Sequence, residues 1–543
     1  MRGSPVLFLV LCCACDGGAR DGEQQAGRLQ APAAASTRRD PTTLVVGRPA
    51  DALSLDPARV GDNESVEVCE QIYETLLSYD TASKEIRAGL ARSWTVSDDG
   101  LVWTFVLRDG VRFHDGTPLD AAAVVFSLER QRDPDHPFHG ADRTSFRFAY
   151  WQNLYRNVRS VEAVDPRTVR ITIDRRYAPF EANMAMFPVS IVSPAAVARW
   201  GADYYRHPVG TGPFRFVRWD SGHIVLERNP DYWGSPPGIA RLIFRSIPDA
   251  RQRLTELESA AIDVAYSLLP DELQFVELHP DLTVYQEPAA TVAYLAMNTT
   301  HPPFDDIRVR RAVNYAVNKD SIVKLAYQGL GTAATGPLPP GQWGYQRPST
   351  TYFYDPERAR ALLAEAAADG HFDRDRVYKL YTLSTPRAYL PDPEFIARVI
   401  QSNLAAVGMR SELVIQRMRK HLHAVQRGEH DMCLFGWIGD NGDPDNYLYT
   451  LFDGDSTGPG IARNLSFHRD PLLHELLLEG QGTNDREKRI DIYRRAQERI
   501  ADQAPWVPLA HSHVAVAARI DVGGIVVKPT AVVEFKGVRR LGH

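Results

Sequence analysis

An α/β fold is predicted by three stretches of the sequence. Residues 377–383 read as a strand, 391–407 as a helix and 411–416 as a second strand, with Gly408 at the helix end. That is the strand–helix–strand unit a parallel sheet requires. Residues 432–438, Met-Cys-Leu-Phe-Gly-Trp-Ile, run an apolar strand straight into a loop holding Asp440, Asn441, Asp443, Asp445 and Asn446. Residues 93–173 are β-rich instead, with short strands separated by Asp-Gly turns. In an open α/β sheet a ligand sits beyond the carboxyl ends of the strands. The 440–446 loop therefore sets carboxylates where a crevice opens. Arg387, in the loop 384–389 after strand 377–383, offers the opposite charge. A cation and an anion facing one crevice suit a zwitterion.

Along the chain, Arg2 precedes an apolar run over 6–11 that ends in Cys12-Cys13-Ala14-Cys15. The run is too short to span a bilayer and is flanked as an export signal is. It resembles a bacterial lipoprotein signal, with Ala14 before an acylated Cys15 as the preferred site and Cys13 as the alternative. Residues 16–41 lack apolar periodicity and read as a tether, whose flexible span is roughly 25–30 Å. A short strand over 43–47 follows, then helical spacing over 67–79 through Val68, Ile72, Leu76 and Leu77. Strands are expected at 93–96, 101–107 and 111–113, and Asp120 suits the N-cap of a helix to Arg130. Two strand pairs come next, 158–164 with 168–173 and 215–219 with 223–228. Between them lies Gly210-Thr211-Gly212-Pro213-Phe214, and after them Asn229-Pro230-Asp231-Tyr232-Trp233. After Thr291 the pattern turns helical, with one amphipathic helix from Ile307 to Val317 and another capped by Asp320. A helix starting at Asp355-Pro356 stops at Gly370. Helices near 420–426, 470–480 and 485–502 flank the 432–438 strand, and a β stretch from 506 to 535 closes the chain.

The 543 residues imply roughly two to four domains. Hydrophobic residues at 44% and charged residues at 24% are ordinary for a globular chain. A net charge of −6, with no basic stripe, argues against a nucleic-acid partner. No dinucleotide, phosphate-loop or zinc spacing is found, so no cofactor is expected. Beyond the N-terminal cluster only Cys69 and Cys433 remain, which excludes a disulfide scaffold. His114 reads as a hydrogen-bonded turn residue, and His421 and His423 do not share a helix face. Asp440 with Asp443, or Asp443 with Asp445, could be taken as the acid pair of a glycoside hydrolase. Pro444 separates the second pair, and no further acid–base group accompanies them. The acidic loop also lacks the spacing and terminal Glu of a calcium loop. Asn441, Asp443 and Asn446 suit caps of the loop backbone.

The phrases 110–118 (Gly-Val-Arg-Phe-His-Asp-Gly-Thr-Pro), 210–214, 229–233 and Val317-Asn318-Lys319-Asp320, in this order and spacing, resemble family 5 extracellular solute-binding proteins. These are the peptide-binding receptors of ATP-binding-cassette (ABC) importers. Gly436-Trp437-Ile438-Gly439-Asp440-Asn441-Gly442-Asp443-Pro444-Asp445-Asn446, with Ala326-Tyr327-Gln328-Gly329 and Trp343-Gly344-Tyr345, is similar to the dipeptide-binding branch. The resemblance implies a periplasmic-binding-protein-like fold (type II, cluster C), with two lobes, an extra inserted domain and a ligand cleft between the lobes. Domain I would be assembled from 42–79, 204–287 and 514–543, domain II would be inserted as 80–203, and 288–513 would form the α/β lid lobe. Hinges would lie near 285–290 and 510–515.

It further implies that Asp440 pairs with a peptide's amino group and Arg387 with its carboxylate. Trp437, Gly439 and Tyr389 would line the walls. The family phrase commonly has Thr at the place of Ile438 and Pro at that of Ala388. A dipeptide or short peptide, permease and ATPase subunits, and a membrane reached through the N-terminal lipid anchor are the implied partners of a monomer held in the periplasm or at the cell surface. The same architecture serves longer peptides, glutathione, haem, nickel chelates or sugars.

Overall fold

The computed structural model describes residues 40–139, 151 and 155–541. The signal, Cys15 and nearly all of the tether lie outside the described residues. The dominant feature is a 12-stranded mixed sheet. One end runs Arg410–Gln416, Val377–Leu383, Met432–Ile438, Thr291–Met297 and Trp506–Arg519. It continues through Val264–Tyr266, Thr43–Arg48, Arg241–Ser246, His223–Arg228 and Phe214–Asp220. Strands 377–383 and 410–416 pair in parallel over seven residues, joined by the helix Pro393–Ala406. Asp392 caps this helix at Phe395 N, and Gly408 takes φ 89° just beyond its end, a left-handed turn that glycine adopts without steric cost.

The 14-residue strand Trp506–Arg519 joins the two ends of the sheet. Its first part pairs with 291–297 and Gly331–Ala333, its second with Leu282–Pro288 and 264–266. Glu287 lies opposite Val514, Pro288 opposite His513, and Ala289 N–H donates to Ser512 O at 3.0 Å. Two antiparallel segments thus cross side by side from one half of the molecule to the other.

Each half has its own core. In the half holding the strand–helix–strand unit, strand 291–297 sends Ala293, Leu295 and Met297 to one face, where they meet Val309, Val313, Leu380 and Ile400. Val292, Tyr294 and Ala296 go to the other face, against Cys433, Phe435, Leu477 and Trp506. In the other half, Leu44, Val46, Phe214, Phe244 and Phe535 form one core. A separate four-stranded antiparallel sheet, Ala91–Val96, Val102–Leu107, Thr168–Ile173 and Val158–Asp165, packs Trp103, Phe105 and Ile171 against Val124 and Leu128 of the helix Ala121–Arg132.

Several expectations change. Strand 291–297 sits where the sequence reads as helical; all seven residues are buried, so no alternation marks it. The helix expected over 67–79 is Asn63–Ile72, because the Asp62 carboxylate accepts from Ser65 N at 2.9 Å and starts it earlier. Leu77–Asp80 instead forms a hairpin with Glu85–Ala88. Residues 111–113 make only a single bridge, Arg112 to Pro118. Asn318, not Asp320, caps the helix Lys319–Ile322, accepting from Ser321 N.

Candidate functional site

Strands 377–383 and 432–438 end at the same edge of the sheet, and their loops border a cavity of about 1740 Å³. Phe435, Trp437, Gly439, Asp440, Tyr389, Met418, Leu422 and Arg463 line one wall. Glu70, Glu74, Tyr232, Trp233, Lys528 and Lys536 from the other half line the opposite wall.

The 439–446 loop is held by its own side chains. Gly439 N–H donates to Ala290 O at 2.7 Å, and its surroundings leave no room for a side chain, since a methyl group would collide with the Tyr447 hydroxyl. Asn446 Oδ1 accepts from Trp437 Nε1 at 2.8 Å and from Asp440 N at 3.4 Å. Asn441 Oδ1 takes Asp443 N, and Asp443 Oδ1 takes Asp445 N, both at 2.9 Å. The capping expected of Asn441, Asp443 and Asn446 is what the structure shows. Arg489 clamps Asp443 through two bonds of 2.7 and 2.8 Å. Asp445 accepts from Gln481 at 3.0 and 3.1 Å and from the Tyr177 hydroxyl at 3.3 Å. Tyr177 and Asn183, whose side chain meets Asn441 at 2.7 Å, come from the other half of the molecule. This loop therefore touches the opposite wall at one edge of the cavity.

Asp440 stands apart. Among the described residues no group donates a hydrogen bond to its carboxylate, although its backbone is pinned. Burial pushes its carboxyl up to about 7, opposed only by the positive charge of Arg463. A carboxylate facing a cavity without a donor is set to receive a cation.

Trp437, Gly439, Asp440 and Tyr389 all border the cavity. Tyr389 packs its ring against Gly436 and lies 6.0 Å from the Phe435 ring, while its carbonyl accepts from Tyr327 at 2.6 Å. Burial pushes its hydroxyl up to about 12, and the Arg387 charge pulls the other way. Arg387 itself is exposed in a turn closed by reciprocal backbone bonds with Leu390, and it is not among the residues lining the cavity. The structure thus brings together four of the five expected binding residues and leaves Arg387 outside, next to Tyr389. His114 is a turn residue as expected: its ring lies 3.0 Å from Gly212 O, and burial lowers it to about 4.

Two groups on the walls escape a reading of the sequence. Arg463, half-buried, holds its guanidinium 5.8 Å from the Trp437 ring centre. Its only signal is a lone cation after the glycine-rich segment 458–462. Glu74 accepts from Trp233 Nε1 and the Tyr232 hydroxyl, both at 2.8 Å, and from Thr211 at 2.9 Å. Tyr232 and Trp233 are loop staples, as their phrase suggests, and Glu74 is what they staple. Gly212 allows this approach, because a Cβ there would stand 2.7 Å from Ile72 O.

A family model described as bacterial extracellular solute-binding proteins, family 5 middle, matches residues 85–459. The chain belongs to this family. It is 34% identical over 504 residues to haem-binding protein A of Haemophilus influenzae, covering 90% of each chain. It is 35% identical over 479 residues to the dipeptide-binding protein of Escherichia coli, covering 86% of this chain and 88% of that one. The solved structure of the periplasmic binding protein DppA from Helicobacter pylori, in complex with the peptide STSA, superposes with a TM-score of 0.78 at 32% identity, covering 92% of this chain and 98% of that chain. Asp443, common to both acid pairs that suggest a hydrolase, is held by Arg489, and Asp445 by Gln481 and Tyr177.

Proposed function

We propose that this chain is the substrate-binding receptor of an ABC importer and captures dipeptides or short peptides by their charged ends. The observation that carries this reading is the Asp440 carboxylate, which borders the cavity with no donor among the described residues while Asp443 and Asp445 are engaged. A peptide's ammonium supplies the missing donor and charge. Taking a charge out of water costs several kcal/mol unless it is paired, so an occupied, closed cleft is favoured only when both ligand ends find partners. Arg387 takes the carboxylate end from the rim beside Tyr389, with the planar fork that suits two parallel hydrogen bonds. Trp437, Gly439 and Tyr389 form walls that touch the peptide without reading its sequence.

The cavity is larger than the roughly 300–1,000 Å³ usual for small ligands. That volume favours short peptides with bridging water over a tight fit to dipeptides alone, at about 3.3–3.6 Å of chain per added residue. Closure is a hinge motion of 288–513 against 42–79, 204–287 and 514–543, with 80–203 inserted, about the crossings at 285–290 and 510–515. The receptor works as a monomer in the periplasm or at the cell surface, anchored through lipid on Cys15, and delivers to permease and ATPase subunits. It binds rather than transforms its ligand and needs no cofactor.

Calorimetry on Asp440→Ala tests the reading. Dipeptide binding is expected to fall by at least about a hundredfold, the scale of leaving one charge of a buried pair unmatched, with circular dichroism unchanged. Near-native affinity in that variant removes Asp440 from the site. A thermal-shift panel of di-, tri- and pentapeptides, haem and glutathione fixes the ligand class, since only a ligand of the folded state raises the midpoint with concentration.

A further inference from the structure

The wall that holds Asp440 also holds a cation that, among the described residues, makes no hydrogen bond or ion pair through its side chain. Arg463 borders the same cavity, and its loop is fixed: Arg463 N and Asn464 N both donate to Ser456 O, at 2.8 and 3.1 Å. The Asn464 amide reaches Phe452, Asp453 and His468 carbonyls at 3.1, 3.2 and 2.9 Å. Yet among the described residues the Arg463 guanidinium makes no hydrogen bond and no ion pair, and it lies over the Trp437 ring. Two further acids that border the cavity are engaged by other groups. Asp445 is engaged by Gln481 and Tyr177, and Asp455, exposed, accepts from the Tyr449 hydroxyl at 3.1 Å. Arg463 and Asp440 border the same cavity and, among the described residues, form no direct bridge with each other.

We propose that Asp440 and Arg463 form one subsite, selecting ligands whose amino end carries a carboxylate of its own. Such a ligand is a peptide beginning with Asp or Glu, or a γ-glutamyl group. The inference rests on the reading of Asp440 as the ammonium partner. The reason is charge balance. In the empty cleft Arg463 partly offsets Asp440. When a peptide with a neutral first side chain brings its ammonium to Asp440, two cations share one carboxylate, and like charges so placed repel. A carboxylate two to four bonds from the ammonium restores the balance and gives the guanidinium a bidentate partner. The Trp437 face behind Arg463 holds the cation in place without competing for its donors.

The experiment is calorimetry of the full exported chain with Glu-Ala, Gln-Ala and γ-Glu-Ala. Gln-Ala is isosteric with Glu-Ala and lacks only the charge. At least one of the two acidic ligands is expected to bind about tenfold more tightly than Gln-Ala, the scale of one added charged hydrogen-bond pair. Which of the two does so separates an acidic first side chain from a γ-glutamyl linkage. Arg463→Gln should remove that difference and leave Gln-Ala bound as well or better. Equal affinity of the wild type for all three ligands overturns the subsite, as does an Arg463→Gln protein that keeps the preference. If Arg463→Gln does not fold, the wild-type series alone decides. Binding of none of the three fails the peptide reading itself, a result distinct from binding all three equally.

Discussion

Two carboxylates border one cavity from different halves of the molecule and live under opposite conditions. Glu74 and Asp440 are both half-buried, and burial pushes both upward. Glu74 receives three hydrogen bonds, from Trp233, Tyr232 and Thr211, all of which favour its charged form. Asp440 receives none among the described residues. A saturated acid holds elements together, here the helix Asn63–Ile72, the 210–212 step and the 229–233 turn, whereas an acid left open beside a rigidly capped backbone is available to a ligand. The contrast separates structural from functional acids on a surface where composition alone treats them alike.

The sharpest way to break this comparison is pH. The folded, empty protein holds Asp440 near 7, above the roughly 3.9 of an unfolded aspartate. Its contribution to stability is therefore full below about pH 4 and is lost as pH rises through about 7. Ligand binding runs the other way, because an ammonium pairs with the ionised form. Peptide affinity is expected to fall with acidification below pH 7, approaching about tenfold per pH unit, and calorimetry in buffers of different ionisation heat should detect protons released on binding. Asp440→Asn should bind weakly at every pH and flatten the affinity profile. A wild-type affinity that is constant from pH 5 to 8 would mean that Asp440 does not meet the ammonium.

The opposite wall should respond in stability and not in affinity. Glu74→Gln replaces an acceptor of three donors by an amide that accepts on only one side. Chemical denaturation is expected to show a loss of about 2–3 kcal/mol, the scale of a hydrogen bond to a charged group left unmade. Calorimetry on the folded fraction should show peptide affinity changed by no more than about threefold, within the spread of context effects away from a contact. A large loss of affinity with normal stability would make Glu74 a ligand group and dissolve the contrast between the walls.

What the sequence disclosed follows the same division. The 439–446 loop was legible because its signals are local: an apolar strand, then Asn and Asp that cap their own backbone within a few residues. The parallel pair 377–383 and 410–416 was legible for the same reason, through Gly408 at the helix end. Strand 291–297 was hidden because both faces are covered, which erases the period of two. Glu74 was hidden because its three donors come from positions more than 130 residues away. Arg463 was hidden because what marks it is a guanidinium without a hydrogen bond among the described residues, and a sequence does not list partners.

Arg387 tests how far the open-acid pattern extends to the far end of the ligand. Its backbone is fixed by the reciprocal bonds with Leu390, at 2.8 and 2.9 Å, but its side chain is exposed. Bringing it onto a carboxylate orders a long side chain, at about 0.5–1.5 kcal/mol, and a partly solvated pair returns less than a buried one. Its effect should be smaller than that of Asp440. Arg387→Ala is expected to weaken binding of dipeptides with a free carboxylate by about tenfold, while a carboxamide-terminated dipeptide binds wild type and variant alike. If the variant keeps full affinity for the free acid, the carboxylate is held by a cation of the opposite wall, Lys528 or Lys536, both of which line the cavity. The two walls would then each grip one end of the peptide, and closing the cleft would itself be the step that measures ligand length.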